Sequence, residues 1–346
     1  MAKDLTSGNS STRPVLRPPV TVPVAFVRGM VSGVHARGEC SDAYLAQAGI
    51  APELLQQDGA RVTAEQYSHL FRLLVEGMND ECLGLLSRPL KRGSLALMAR
   101  SALGAPSLES AIRRMARTFQ IVQDDMRMVL LSDGAHRGLS LQTVNPSRTH
   151  GVFLHELLLR VFWRVLAWLA GGTLRAEGFD FAFAAPPHAD SYGKVFPATL
   201  RFGRPHSAFW FDAARLADPV RRDEAALRAF IADAQSQVIV PRRSDDLVSS
   251  RVRDHLQRNV PAWPDLATVA QALHMAPSTL QRRLSAEGSS FQALKDELRR
   301  DLAIVRLNTS AVALTTLADE LGFADSGAFQ RAFKGWTGSA PGAYRR

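Results

Sequence analysis

Apolar residues at Leu266, Val269, Ala270 and Leu273 follow an i, i+3, i+4, i+7 spacing, the single buried stripe of a short amphipathic helix. The stripe returns 48 residues later as Leu314, Leu317, Ala318 and Leu321. After the first stripe a turn, His274 to Pro277, leads to Ser278 as an N-cap and to a second helix with Leu280 and Leu284 on its inner side. The later copy runs through Gly322-Phe323-Ala324-Asp325, then Ser326 as the equivalent cap, then Phe329 and Phe333. Short helix, tight turn, short helix, with Ala270 and Ala318 where the two must approach closely, describe a helix-turn-helix, here in tandem. Between the copies, Phe291, Leu294, Leu298, Leu302 and Val305 form the stripe of one long helix over residues 291–308.

With Leu280 and Leu284 turned inward, Ser278, Gln281 and Arg282 face outward, and Gln330 and Arg331 take the corresponding places in the second copy. Glutamine and arginine bond bidentately to adenine and guanine edges in a major groove. A solvated helix face also carries such residues, but it has no reason to repeat Gln-Arg at the same offset. The second helix opens Ser326-Gly327-Ala328, with little side chain to reach a base, so its share of the contacts falls to Gln330, Arg331 and phosphate-binding groups. His274 stands where the second copy has Gly322; in a left-handed turn a non-glycine residue costs on the order of 1 kcal/mol.

The front of the chain mixes two periodicities. Thr63-Ala64-Glu65-Gln66 is a capping box that opens a helix to Met78, and Ser107 caps another carrying Leu108, Ile112, Met115 and Phe119. Residues 126–131 and 138–144 alternate as a hairpin around Asp133-Gly134. Residues 149–171 are the most apolar stretch, but His155, Glu156, Arg160 and Arg164 interrupt it, which predicts a buried helix and excludes a membrane span. Phe179, Phe181 and Phe183 alternate as a strand, with further strands at 200–202 and 208–211. Asp212 or Asp218 caps a short helix, and residues 222–237 form the last helix of this half. The divisions are a disordered, proline-rich arm without a signal peptide at 1–19, a domain at 20–236, a linker at 237–244 and a C-terminal domain at 245–346.

Charge sharpens the reading. The net charge of +9 suits a polyanionic partner, and residues 241–346 hold 15 basic and 11 acidic residues, a net of +4. Cys40 and Cys82 form no CxxC and no metal-ligand spacing; they read as buried thiols of a reducing cytoplasm, with a redox pair as the alternative. His155-Glu156 begins like a zinc-protease motif, but Leu159 stands where the second histidine must be. No P-loop, GxGxxG or GxSxG run stands in the chain, so no catalytic residues, metal or cofactor are assigned. An enzyme or a sensor that no longer reads DNA remain the rival functions.

The run Ser278-Thr279-Leu280-Gln281-Arg282-Arg283-Leu284 with Glu287-Gly288, together with Leu321-Gly322-Phe323, Phe329, Arg331-Ala332-Phe333-Lys334, Trp336-Thr337-Gly338 and Pro341, resembles the tandem helix-turn-helix domain of the AraC/XylS transcription regulators. The resemblance implies recognition helices in successive major grooves, with DNA contacts from Ser278, Thr279, Gln281, Arg282, Arg283, Ser326, Gly327, Gln330, Arg331 and Lys334. Leu83-Gly84-Leu85-Leu86, Gly93-Ser94-Leu95, the run from Ser107 to Arg114, and Leu200-Arg201-Phe202-Gly203 resemble the "arabinose-binding" effector domain of one AraC subgroup, alongside regulators of ornithine use and quorum sensing.

The fold expected is therefore multidomain. A helix-rich α+β domain with a small antiparallel sheet is followed by an all-α domain of two helix-turn-helix units on one long helix. The function expected is a cytoplasmic transcription regulator that binds a double-stranded operator beside RNA polymerase. Its front domain would take a small-molecule effector, with His155, Trp163 or Trp168 at the ligand, or would self-associate as a homodimer.

Overall fold

A computed structural model of the protein describes residues 20–145, 151–232 and 247–345. The arm at 1–19 and the linker at 237–244 lie outside these. The front half runs β1 (Thr21–Pro23), α1 (Val24–Ala36), α2 (Asp42–Gln47), β2 (Arg61–Thr63), α3 (Ala64–Met78), α4 (Ser94–Ser101), α5 (Leu108–Val122), β3 (Met126–Asp133), β4 (His136–Thr143), α6 (Val152–Leu169), β5 (Gly178–Asp180), β6 (Thr199–Arg201), β7 (Ser207–Asp212) and α7 (Glu224–Ala232). The back half is helical: α8 (Val248–Arg258), α9 (Leu266–Ala272), α10 (Pro277–Ala286), α11 (Phe291–Thr309), α12 (Leu314–Glu320) and α13 (Ser326–Thr337).

Local chemistry explains most starts. At α3 the Thr63 hydroxyl accepts from Gln66 N while Gln66 Oε1 accepts from Thr63 N, a complete capping box. Ser107 caps α5 through Ser110 N, and Asp212 caps the 3-10 turn Ala213–Ala217 through Ala214 N. Asp218 does not cap a helix; it follows that turn, and its carbonyl accepts from Leu108 N. The hairpin of β3 and β4 closes on Gly134 and Ala135, with Gly134 at φ 55°.

The larger sheet has the order β3-β4-β7-β5-β6 and the smaller pairs β1 with β2. The sheet is not wholly antiparallel: β5 and β6 run parallel, because Pro186-Pro187 and the 3-10 turn Ala189–Lys194 carry the chain across before β6. The strand expected through Phe183 pairs only over Gly178–Asp180, yet the alternation holds beyond it, with Phe179 and Phe181 fully buried.

Helix α6 is buried almost all round, and its polar residues have partners inside the protein. Glu156 Oε1 accepts from the Tyr192 hydroxyl and lies 3.0 Å from His188 Nε2. Burial, with the Glu156 charge beside it, pushes the Tyr192 phenol well above its ordinary range. Burial lowers the Arg160 guanidinium to about 10, the Tyr67 hydroxyl partly opposing the shift. Among the described residues no helix is long and apolar enough to cross a membrane.

The long helix α11 departs from its expected stripe. Leu294 and Leu298 are buried, but Phe291, Leu302 and Val305 are only half-buried, while Asp301, Ala303, Ile304 and Leu307 are buried as well. The second half of α11 is covered on further sides, by α8 and by the β1–β2 ribbon of the front domain. There Asp301 Oδ1 accepts from the Thr21 hydroxyl at 2.6 Å and Oδ2 from Arg253 Nη2 at 2.9 Å. Arg61 Nε donates to Thr21 Oγ1, and Arg61 N donates to the hydroxyl of Tyr344, near the other end of the chain. Gln66, already part of the α3 cap, donates to Asn308 Oδ1 at 2.8 Å. Gly59 allows a close backbone approach: a Cβ there would lie 3.0 Å from the carbonyl carbon of Thr337. Sequence periodicity does not show a partner of this kind, since it arrives from 280 residues away.

Candidate nucleic-acid interface

The two helix-turn-helix units are built alike. Asp265 caps α9 by accepting from Thr268 N at 2.9 Å, a bond that holds its carboxyl below the usual range. Val269 and Ala270 of α9, like Leu317 and Ala318 of α12, are fully buried. In each turn the same bond recurs, Met275 N to Ala270 O and Phe323 N to Ala318 O, both 2.9 Å. Each turn also passes through the left-handed region, His274 at φ 57° and Gly322 at φ 70°.

The helices that follow start earlier than their serines suggest. Helix α10 begins at Pro277 after Ala276, because proline already has a helical φ and lacks only an N–H that the first turn does not use. Helix α13 begins at Ser326 after Asp325, whose carboxylate accepts from Ala328 N at 2.7 Å. Ser326 therefore matches Pro277 in helix position and Gly327 matches Ser278, and the second turn is one residue longer than the first.

Leu280 and Leu284 of α10 and Phe329 and Phe333 of α13 are fully buried, which fixes what lies opposite. Ser278, Gln281, Arg282 and Arg283 are exposed and Thr279 is half-buried; Gln330, Arg331 and Lys334 are exposed, and Ser326 and Gly327 half-buried. A Cβ on Gly327 would lie 3.1 Å from Asp325 Oδ1 and 3.4 Å from Arg331 Nη1, so the Arg331 guanidinium lies back over the first turn of α13. The side chains of Gln281, Arg282, Arg283, Gln330 and Lys334 make no hydrogen bond or ion pair with another described residue. Three cations of the supporting helices are committed instead: Arg253 to Glu297 and Asp301, Arg300 to Asp301, and Arg306 to Glu320. Exposed cations thus stand on α10 and α13, and on α8 at Arg251 and Arg258.

His274 explains why glycine is needed at one turn and not at the other. Its side chain is exposed, whereas a Cβ on Gly322 would meet Trp263 Cδ1 at 2.7 Å. Replacing His274 with glycine is expected to stabilise the protein by about 1 kcal/mol, since the left-handed cost disappears and no contact is lost. Urea unfolding measures it; a less stable variant would mean the imidazole contributes more than its backbone conformation costs.

In the front domain a cavity of about 460 Å³ lies between α3, α4, α6 and α7. Its walls are mainly apolar, including Phe71, Leu90, Met98, Leu158, Phe162 and, from α7, Ile231. Glu81 borders it and anchors the start of α4 by accepting from Gly93 N and Leu95 N; burial raises its carboxyl above the ordinary value. His155, Trp163 and Trp168 do not line this cavity. His155 is buried against the Phe183 ring, Trp163 Nε1 donates to Leu174 O at 2.9 Å, and Trp168 stacks on Phe230 at 4.6 Å. Cys82 lines the cavity as a buried thiol, but Cys40 is exposed, in the turn before α2, where its Sγ accepts from Asp42 N. Among the described residues no group of three or more His, Cys, Asp or Glu is placed to hold a metal.

A mixed domain with a ligand-sized, partly open cavity, packed against paired helix-turn-helix units that present unpaired glutamine and arginine, defines a DNA-binding regulator with an effector domain in front. Residues 40–220 match the family described as the arabinose-binding domain of AraC transcription regulator, N-term, and residues 269–346 match a helix-turn-helix domain family. The chain belongs to the AraC family of transcription regulators. It is 26% identical to the ornithine utilization regulator of Pseudomonas aeruginosa over 325 residues, which are 94% of this chain and 96% of that one. It is 25% identical to the transcriptional regulator VirS of Mycobacterium tuberculosis over 306 residues, 87% of this chain and 89% of that one. Of solved structures, the regulator CdpR of Pseudomonas aeruginosa aligns over 88% of this chain and 96% of its own, at 20% identity and a TM-score of 0.34.

Proposed function

We propose that α10 and α13 enter successive major grooves of an operator. Gln281 and Arg282 of the first unit and Gln330 and Arg331 of the second bond base edges; Ser278, Thr279, Arg283, Ser326, Gly327 and Lys334 lie along the backbone contacts. The observation that carries this reading is the exposure of Gln-Arg at the same helical position on two helices, with the Arg282 side chain unpaired while Arg253 and Arg300 of the supporting helices are held by Asp301. Arg282→Ala is expected to weaken specific binding by roughly 1–3 kcal/mol and to relax the choice of one base pair, whereas changes at Ser326 or Ala328 alter sequence choice less. A binding-site selection on both proteins tests it; an unaltered preference at every position would exclude an Arg282 base contact.

The effector, on the same reading, occupies the cavity beside α7 in preference to the positions of His155, Trp163 and Trp168, whose side chains are already used in packing. Apolar walls with Glu81 and Arg92 at the border suit a molecule with an apolar body and a polar end. The β1–β2 ribbon of the front domain meets α11, which gives occupancy a route to the DNA-binding units. The regulator so described works in the cytoplasm, docks or leaves its operator beside RNA polymerase, self-associates through residues 20–236, and has no catalytic activity.

A further inference from the structure

Trp263 stands in the loop between α8 and α9, in the first unit, yet most of what it touches belongs elsewhere. Its indole Nε1 donates to the carbonyl of Glu320 at 3.0 Å, at the end of α12 in the second unit. Its own carbonyl accepts from Lys295 Nζ on α11, also at 3.0 Å. The Arg299 guanidinium of α11 lies 4.9 Å from the Trp263 ring and 4.9 Å from the Phe323 ring of the second turn, and donates to Gly322 O at 3.2 Å. Gly322 leaves no room for a side chain against the indole. Trp263 is 6% exposed and holds φ at 46°, a left-handed conformation that a bulky residue keeps only where its surroundings hold it. One side chain thus joins the loop of unit one, the connecting helix and the turn of unit two.

The geometry points to Trp263, with Arg299 and Gly322, as the residues that fix the distance and angle between the two recognition helices, and so the spacing between the two halves of the operator that the protein accepts. This rests on the reading that α10 and α13 both contact base edges. A helix of the length of α11 holds its ends apart but leaves the rotation of each unit about it to side contacts. Inserting one base pair moves the second half-site by about 3.4 Å and roughly 35°. A clamped pair of units cannot follow that displacement, so one unit loses its base contacts; an unclamped pair can.

The test uses the full-length protein and the tightest duplex that it recovers by selection from random DNA, remade with one base pair inserted or removed between the two contacted segments. The wild-type protein should bind both altered duplexes at least about thirtyfold more weakly than the parent, the loss of one unit's base contacts. Trp263→Ala should lose less than about threefold on the same insertion, while binding the parent duplex about tenfold more weakly because its units are no longer preset. Trp263→Phe, which keeps a ring under Arg299, should restore much of the spacing preference. If Trp263→Ala does not fold by circular dichroism, Arg299→Ala decides, since it removes the guanidinium between the two rings and leaves the indole in place. A folded Trp263→Ala or Arg299→Ala protein with the wild-type spacing penalty overturns the proposal. A selection that recovers only one contacted segment overturns the two-groove reading beneath it, a separate and recognisable outcome.

Discussion

Asp301→Ala is expected to lower the unfolding free energy by about 3 kcal/mol. Asp301 is 1% exposed and accepts from Thr21 Oγ1, Arg253 Nη2 and both Nε and Nη2 of Arg300. Alanine leaves the Arg253 guanidinium, itself 2% exposed, with its Glu297 carboxylate contact, and takes the acceptor from the Thr21 hydroxyl proton at the domain contact, where Thr21 Oγ1 still accepts from Arg61 Nε. Removing one member of a buried ion pair typically costs about 3–5 kcal/mol, and the surviving Glu297 contact places this case at the lower end. Asn, which keeps the shape and one acceptor, should lose less. Urea unfolding followed by circular dichroism gives the number, and because the pair is shielded from solvent the loss should persist at high salt. An unchanged midpoint would mean that water replaces the carboxylate at no net cost, and that the β1–α11 contact adds nothing to stability.

Phe181→Ala should cost more, about 3–5 kcal/mol, with a fall in melting temperature on the order of 10 °C. Phe181 is fully buried with ring centroids of Phe183, Tyr192, Phe196 and Phe202 between 5.1 and 5.3 Å away. Truncation removes transfer energy and also opens a void that four rings cannot all close upon. The half-buried Phe183 should cost less when cut to alanine. The folded fraction of the Phe181 variant should bind operator with wild-type affinity, because the ring cluster belongs to the front domain and not to α10 or α13. A loss of affinity without a loss of stability would place Phe181 in the signal between domains and not simply in the core.

What was legible in the sequence was whatever rests on neighbours along the chain. Thr63 and Gln66, Ser107, the β3–β4 hairpin and the repeated stripe of α9 and α12 are local patterns, and the structure keeps each of them. The exposed faces of α10 and α13 follow from the same rule, because Leu280, Leu284, Phe329 and Phe333 settle which side is inside. Helix starts shifted by a residue or two where Pro277 and Asp325 outcompete the serines as start signals. What periodicity hides is the long-range contact. Asp301 lies on a face that a two-sided helix would give to water, and Trp263 stands in a short loop between two prolines with no stripe to belong to. The one local sign of the second was the pair His274 and Gly322: a glycine demanded at one turn and not at its repeat marks a neighbour pressing on that turn alone. The ligand cavity was not legible, because its walls come from four helices and none of them reads differently from ordinary core.

The bonds from Thr21 to Asp301 and from Arg61 to Tyr344 join residues 280 and 283 positions apart. On the ribosome the β1–β2 ribbon is therefore finished while both of its partners are still unmade, and the front domain must hold its shape on its own core until Asp301 and Tyr344 emerge. A message cut short before Tyr344 yields a protein whose Arg61 amide faces an empty seat. In this chain the turn Pro341–Tyr344 acts as a latch on β2, set only after 283 residues beyond Arg61 have been made.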